Sequence, residues 1–218
     1  MTDTTTLRLR GKDIIVDASM RSNILEEMPE IGWISSEDLR RKVLDAWSAA
    51  VASAGFSRIG DMKPSGNYDT KPLRHGTQAD HIRSVARLAV KIAAEMDELF
   101  PDFIYDRDLL IAGSLCHDIG KVWEFDPENI ARWKADPGKT GYPSLRHPGY
   151  GIHICLTADL PEEVAHMAAG HSAEGELLTR SRENTILRWA DHTFWQVAEA
   201  ANLLSERDTW VAPAQKKR

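Results

Sequence analysis

The sequence predicts an all-α bundle preceded by a short extension, and three observations lead there. Apolar residues recur at helical spacing along most of the 218 residues, helix stop signals punctuate those stretches, and strand-like alternation is confined to one segment near the start. That segment, Leu7-Arg-Leu9-Arg-Gly11-Lys-Asp-Ile14-Ile15-Val16, turns on a glycine and predicts a small β-hairpin. The first helix is expected to begin at Ser35 or Ser36, with Glu37 and Asp38 in its first turn. Its stripe is Leu39, Val43, Leu44, Trp47, Ala50 and Val51, and Gly55 closes it. Residues 55–76 are rich in Gly, Pro, Ser, Asp and Asn and read as a loop.

A long helix follows from about Thr77 to Leu99, with Ile82, Val85, Ala86, Leu88, Ala89, Ile92, Ala93 and Met96 on one face and Pro101 as its stop. Asp106 or Asp108 opens the next helix, whose residues 109–116 are apolar enough to be buried on most sides. It leads directly into His117-Asp118-Ile119-Gly120-Lys121, where Gly120 is the expected helix end. Residues 126–146 hold three prolines and two glycines and predict a loop or lid. Shorter helices are expected over 145–157 and 161–171, and a strong one over 183–203 with Ile186, Leu187, Ala190, Phe194, Val197 and Ala198 inward. The expected organisation is an extension over 1–30, one helical domain over 31–205 and a flexible tail over 206–218.

Composition narrows the class further. With 42% hydrophobic and 28% charged residues, the chain can bury one sizeable core. Its longest apolar run is far too short to span a bilayer, and its first residues lack the basic and apolar regions of a secretory signal. Two cysteines, Cys116 and Cys155, cannot build a disulfide framework, so reduced thiols and a cytoplasmic location are expected. A net charge of −6 argues against a duplex nucleic acid partner.

All eight histidines lie between His75 and His192. Histidine is the commonest metal ligand and a frequent general acid or base. Six residues sit at helix ends or on inward stripes: His81, His117, Asp118, His147, His171 and Asp191. Imidazoles with carboxylates suit Mn, Fe, Co, Ni, Zn or Mg rather than a thiolate zinc knot. An apolar helix running into His117-Asp118 buries two polar groups that need partners. His153 and His166 read as helix-face residues able to substitute for His147 or His171, and His192 should be exposed. His75 is either a contact near the site or an ordinary loop residue.

The order His81, His117-Asp118, Asp191, with Leu115-Cys-His-Asp-Ile-Gly-Lys121, resembles the HD-domain superfamily of metal-dependent phosphohydrolases over roughly residues 74–203. His147, in His147-Pro-Gly-Tyr-Gly151, and His171 extend the pattern to one similar to members that bind two metals. The resemblance implies that His81, His117, Asp118 and Asp191 hold a first ion. Asp118 would bridge to a second ion completed by His147 and His171. The ions would be two divalent metals, iron or manganese first, with Mg, Co, Ni or Zn compatible. A metal-activated hydroxide would then attack a phosphate ester or anhydride on a nucleotide or other small phosphorylated molecule.

Lys121, one turn past the pair, is expected at the mouth of the site, where it neutralises a substrate phosphate; Arg146 and His75 are the other candidate substrate contacts. The aromatics Trp123, Phe125, Trp133 and Tyr142 are expected to pack their segment onto the domain, whereas Trp195 and Gln196 could face the pocket. The same motif also fits HD-type mixed-valence di-iron oxygenases acting on small polar substrates. A purely binding HD module would be expected to have lost ligands, and here the set is complete.

Overall fold

A computed structural model describes residues 4–206. The chain opens on an antiparallel hairpin, β1 (Thr5–Leu9) and β2 (Lys12–Val16). Its turn residues, Arg10 and Gly11, have φ of 53° and 76°, the left-handed geometry that suits a two-residue turn between twisted strands. Alternation places Leu7, Leu9 and Val16 on the buried face.

Helix α1 (Ala18–Glu27) follows, with the Asp17 side chain accepting from the Met20 N–H at 2.9 Å. Sequence reading misses α1 because its two buried positions are Ile24 and Arg21, too weak a stripe to register. After a 3₁₀ turn at Pro29–Trp33 comes α2 (Glu37–Ala52), capped by Ser36, one of the two serines expected there. Trp47 of α2 is fully buried and donates its indole N–H to the Leu115 carbonyl at 3.0 Å.

The long helix α3 (Gln78–Leu99) starts on a capping box between Thr77 and Asp80. Of the two aspartates that could open α4 (Arg107–Cys116), Asp106 caps it. Asp108 instead accepts from the Ser35 and Ser36 N–H groups at 2.9 and 2.8 Å, pinning the approach to α2.

Beyond the His-Asp pair the chain forms α5 (Lys121–Glu124), α6 (Pro127–Ala135) and α7 (Pro137–Thr140). The segment expected to be a loop or lid is therefore partly helical. Asp126 and Asp136 are N-caps, and each is followed by a proline at the first helical position, where its missing N–H costs nothing. Trp133 is fully buried, and Trp123 and Phe125 nearly so, which makes this segment part of the body of the domain. Helices α8 (His147–Thr157), α9 (Glu162–Gly170) and α10 (Arg182–Ala200) complete the bundle. The tail expected beyond Glu206 lies outside the described residues.

The core has two parts. The larger gathers the hairpin, α1 and α2 with one face each of α3, α4, α8 and α9. The smaller joins α3, α4, α9 and α10 through Val85, Leu110, Met167 and Leu187. Gly120 matters for close approach rather than for a change of backbone angle: its φ of −69° is helical, but a Cβ there would lie 2.0 Å from the His147 carbonyl oxygen. That contact seats the first turn of α8 directly on the His-Asp turn.

Candidate metal centre

Five helices bring the six expected residues to one place. His81 lies in the first turn of α3, His117 and Asp118 directly follow α4, His147 opens α8, His171 follows α9, and Asp191 sits midway along α10. The histidines and Asp118 are all at least 97% buried, while the Asp191 side chain keeps 15% exposure and marks the open side.

Helix ends explain two of the ring orientations. At a helix C-terminus the last carbonyls lack partners, and the imidazoles that follow can donate back to them. His117 Nδ1 donates to the Ser114 carbonyl at 2.7 Å, and His171 Nδ1 to the Ala168 carbonyl at 3.0 Å. A carbonyl only accepts, so each Nδ1 carries the proton and each Nε2 presents a lone pair inward. His147 Nδ1 lies 2.5 Å from Glu124 Oε2, which places the proton the same way.

Asp118 divides the cluster in two. Its Oδ2 lies 3.3 Å from His81 Nε2 and 3.4 Å from His117 Nε2. Its Oδ1 lies 3.4 Å from His147 Nε2 and 3.7 Å from His171 Nε2. Asp191 Oδ1 completes the first side, 3.3 Å from His81 Nε2. Two triads result, His81–His117–Asp191 and Asp118–His147–His171, each with donor atoms close enough to share one ion.

Three features fit divalent cations. First, His81 Nε2, His117 Nε2 and Asp191 Oδ1 are buried and make no hydrogen bond, a cost that a bound ion removes. Second, His147 Nε2 and His171 Nε2 lie 3.2 Å apart on the side facing Asp118, close enough to ligate one cation together. Third, three of the donors, His171, Asp118 and Asp191, hold ligating protonation states. Burial, with His117 and His147 nearby, pushes the His171 imidazole down to about 3. Burial alone would raise the Asp118 carboxyl, but Lys121 and His117 hold it well below the usual range. Asp191 is likewise lowered, against its burial, by His81 and His117. For His117 burial works against the charged form, yet the neighbouring carboxylates raise its pKa. Nitrogen and carboxylate donors of this kind suit first-row divalent ions.

Lys121 is not at the mouth. The chain continues from the His-Asp turn straight into α5, which turns Lys121 inward to 1% exposure. Its Nζ lies 2.7 Å from Asp118 Oδ2 and donates to the Ser65 carbonyl at 2.7 Å. Arg146 stands at the rim, a third exposed, with Nε 2.9 Å from Glu124 Oε1 and its guanidinium also on Asn67. His75 is exposed and lies outside both triads, beside an apolar cavity of about 420 Å³ lined by Leu73, Leu88, Phe194 and Val197. His153 and His192 are exposed, and His166 accepts from the Ser181 N–H, so none of the three joins the centre. Trp195 and Phe194 back His81, each with its ring centroid 4.8 Å away, while Gln196 is exposed.

Sequence reasoning misses two residues. Glu124 is fully buried and receives both the backbone N–H and Nδ1 of His147. Gln78, also fully buried, donates to Asp118 Oδ2 at 2.8 Å. Glu124 did leave a trace: a carboxylate inside Val122-Trp-Glu-Phe125 is a charge in an apolar run, and such a charge needs a partner.

Comparison with known proteins agrees with this geometry. The HD domain family model matches residues 79–195. A dihydroneopterin 2′,3′-cyclic phosphate phosphodiesterase of Methanocaldococcus jannaschii is 28% identical over 177 residues, covering 77% of this chain and 67% of that protein. No solved structure matches. Among the described residues, no helix is long and apolar enough to cross a membrane. With its buried His/Asp centre and a match over more than half its length, the chain belongs to the HD domain family, as a metal-dependent phosphohydrolase.

Proposed function

We propose that this chain hydrolyses a small phosphodiester, a cyclic phosphate on a nucleotide-like molecule, using two divalent cations, iron or manganese, held on either side of Asp118. The observation that carries this reading is the split of the Asp118 carboxylate, one oxygen toward His81 and His117, the other toward His147 and His171. Cations bound there lower the pKa of water and offset charge developing on phosphoryl oxygens. His81, His117 and Asp191 would hold one ion and His147 and His171 the other, with Asp118 shared. Lys121 keeps Asp118 ionised and in register rather than reaching substrate, since its ammonium is buried against Asp118 and Ser65. Arg146, partly exposed at the rim beside His147, is the cation placed to meet a substrate phosphate.

A net charge of −6 and the substrate of the archaeal relative both favour a small molecule over a polymer. The test is turnover of 2′,3′-cyclic nucleotides and dihydroneopterin cyclic phosphate with added Mn²⁺ or Fe²⁺, against linear monoesters. Hydrolysis of the cyclic diesters that chelator abolishes supports the proposal. Activity confined to monoesters, or oxygen uptake without phosphate chemistry, contradicts it.

A further inference from the structure

We propose that Glu124 is the positioning residue that makes His147 a metal ligand. This rests on the two-cation reading above and goes beyond it, because it names what builds the second site.

The histidines sit at different ends of their helices. His117 and His171 follow helix C-termini, and each finds a backbone carbonyl three residues back for its Nδ1–H. His147 is the first residue of α8. A helix N-terminus offers unpaired N–H groups and no free carbonyls, so an Nδ1–H there has nothing local to donate to. The acceptor must come from another element, and α5 supplies it. Glu124 Oε2 accepts from the His147 backbone N–H at 2.8 Å and lies 2.5 Å from His147 Nδ1, fixing the helix start and the ring together. Its other oxygen is paired with Arg146 Nε at 2.9 Å, so the buried carboxylate has a counter-charge.

Two consequences follow for the ring. The proton is held on Nδ1, which leaves Nε2 as the lone pair facing Asp118 Oδ1 at 3.4 Å. A carboxylate partner on Nδ1 also strengthens Nε2 as a ligand. Arg146 therefore serves the centre from behind, through Glu124, in addition to its place at the rim.

The test is titration of the full chain with Mn²⁺ alone, read by calorimetry, for wild type, E124A, E124Q, H147A and the E124A/H147A double variant. Thermal midpoints are followed alongside. The wild type should bind two equivalents. E124A should weaken one of them by roughly 10- to 100-fold and leave the other unchanged. E124Q, which keeps the shape and an acceptor oxygen but loses the charge, should weaken the same equivalent by less, and it decides the matter should E124A not fold. H147A should lose that equivalent, and the double variant should match H147A, because Glu124 acts through His147. A merely structural role predicts lower thermal midpoints with both Mn²⁺ affinities intact. That result, or a double variant weaker at the other equivalent than H147A, overturns the inference and leaves the two-cation reading standing. A wild type that binds one equivalent or none overturns both.

Discussion

Two buried polar clusters in this molecule look alike in composition and differ in bookkeeping. Near the N-terminus, Arg21 Nε meets Asp45 Oδ1 at 2.6 Å, Thr5 Oγ1 donates to Asp45 Oδ2 at 2.9 Å, and Arg21 Nη2 donates to Thr5 Oγ1 at 2.9 Å. Donors and acceptors there close on one another, linking the hairpin, α1 and α2. At the His-Asp centre the same kind of inventory leaves both His81 ring nitrogens, His117 Nε2 and Asp191 Oδ1 unpaired, and the Nε2 atoms of His147 and His171 lie 3.2 Å apart. A satisfied cluster is a structural brace. A cluster whose nitrogen and carboxylate donor atoms lie close together with few partners is a candidate binding site, and donors of that kind suit a cation.

Substitutions should separate the two clusters cleanly. The largest effect is expected for Asp118→Ala, which removes the carboxylate between the two triads. Turnover should fall on the order of 10³-fold or more, about 4 kcal/mol of barrier, with Mn²⁺ uptake reduced and the far-ultraviolet circular dichroism unchanged. Asp45→Ala should do the reverse. Removing the carboxylate of a buried ion pair costs about 3–5 kcal/mol, read by urea denaturation, while the fraction that stays folded binds Mn²⁺ as wild type does. If Asp45→Ala lowers Mn²⁺ affinity at the centre, the two regions are coupled and the contrast fails.

Gly120→Ala sharpens the comparison from the packing side. Its added methyl would meet the His147 carbonyl oxygen at 2.0 Å, so α8 must shift. The expected cost is about 1–3 kcal/mol in stability, together with weaker binding of one Mn²⁺ equivalent. Unchanged metal binding would show that the seat of α8 is not what places His147.

The smallest effect lies in neither cluster. The Asp108 carboxyl, which partial burial would raise, is held below its usual range by hydrogen bonds from Ser35 and Ser36. Its folded pKa is depressed, so its contribution is present above the unfolded value near 3.8 and is lost as pH falls through the lower folded value. Asp108→Asn should therefore destabilise the protein at neutral pH by at most about 1 kcal/mol. The gap to wild type should close below about pH 4. A gap that persists at low pH would assign the effect to geometry rather than charge.

Much of this was legible in the sequence where local signals and burial agree. The long stripe of α3, an aspartate cap for α4 at Asp106 or Asp108 and the apolar run into His117-Asp118 each follow from helical period and capping chemistry. That the six residues meet at one centre was legible because their order along the chain resembles that of a known family. What stayed hidden depends on three-dimensional neighbours. Helix α1 buries Arg21, which reads as a surface residue until Asp45 is known to face it. Helices α6 and α7 were masked by their prolines, which stop a helix in mid-course but start one at its first position. Lys121 was expected outward because a charge one turn past a ligand usually reaches solvent; here Asp118 and the Ser65 carbonyl receive it inside. Glu124 was passed over for the same reason, since its partners, His147 and Arg146, lie more than twenty residues away.

On the reading proposed above, the unpaired atoms of this centre are ligands for two cations with Asp118 between them. Anomalous diffraction from crystals grown with Mn²⁺ tests it most directly. Two peaks are expected about 3.5–4 Å apart, one against His81, His117 and Asp191, the other against His147 and His171, each within bonding distance of one Asp118 oxygen. A single peak, or Mn²⁺ bound elsewhere with the six side chains hydrogen-bonded only among themselves, would contradict it.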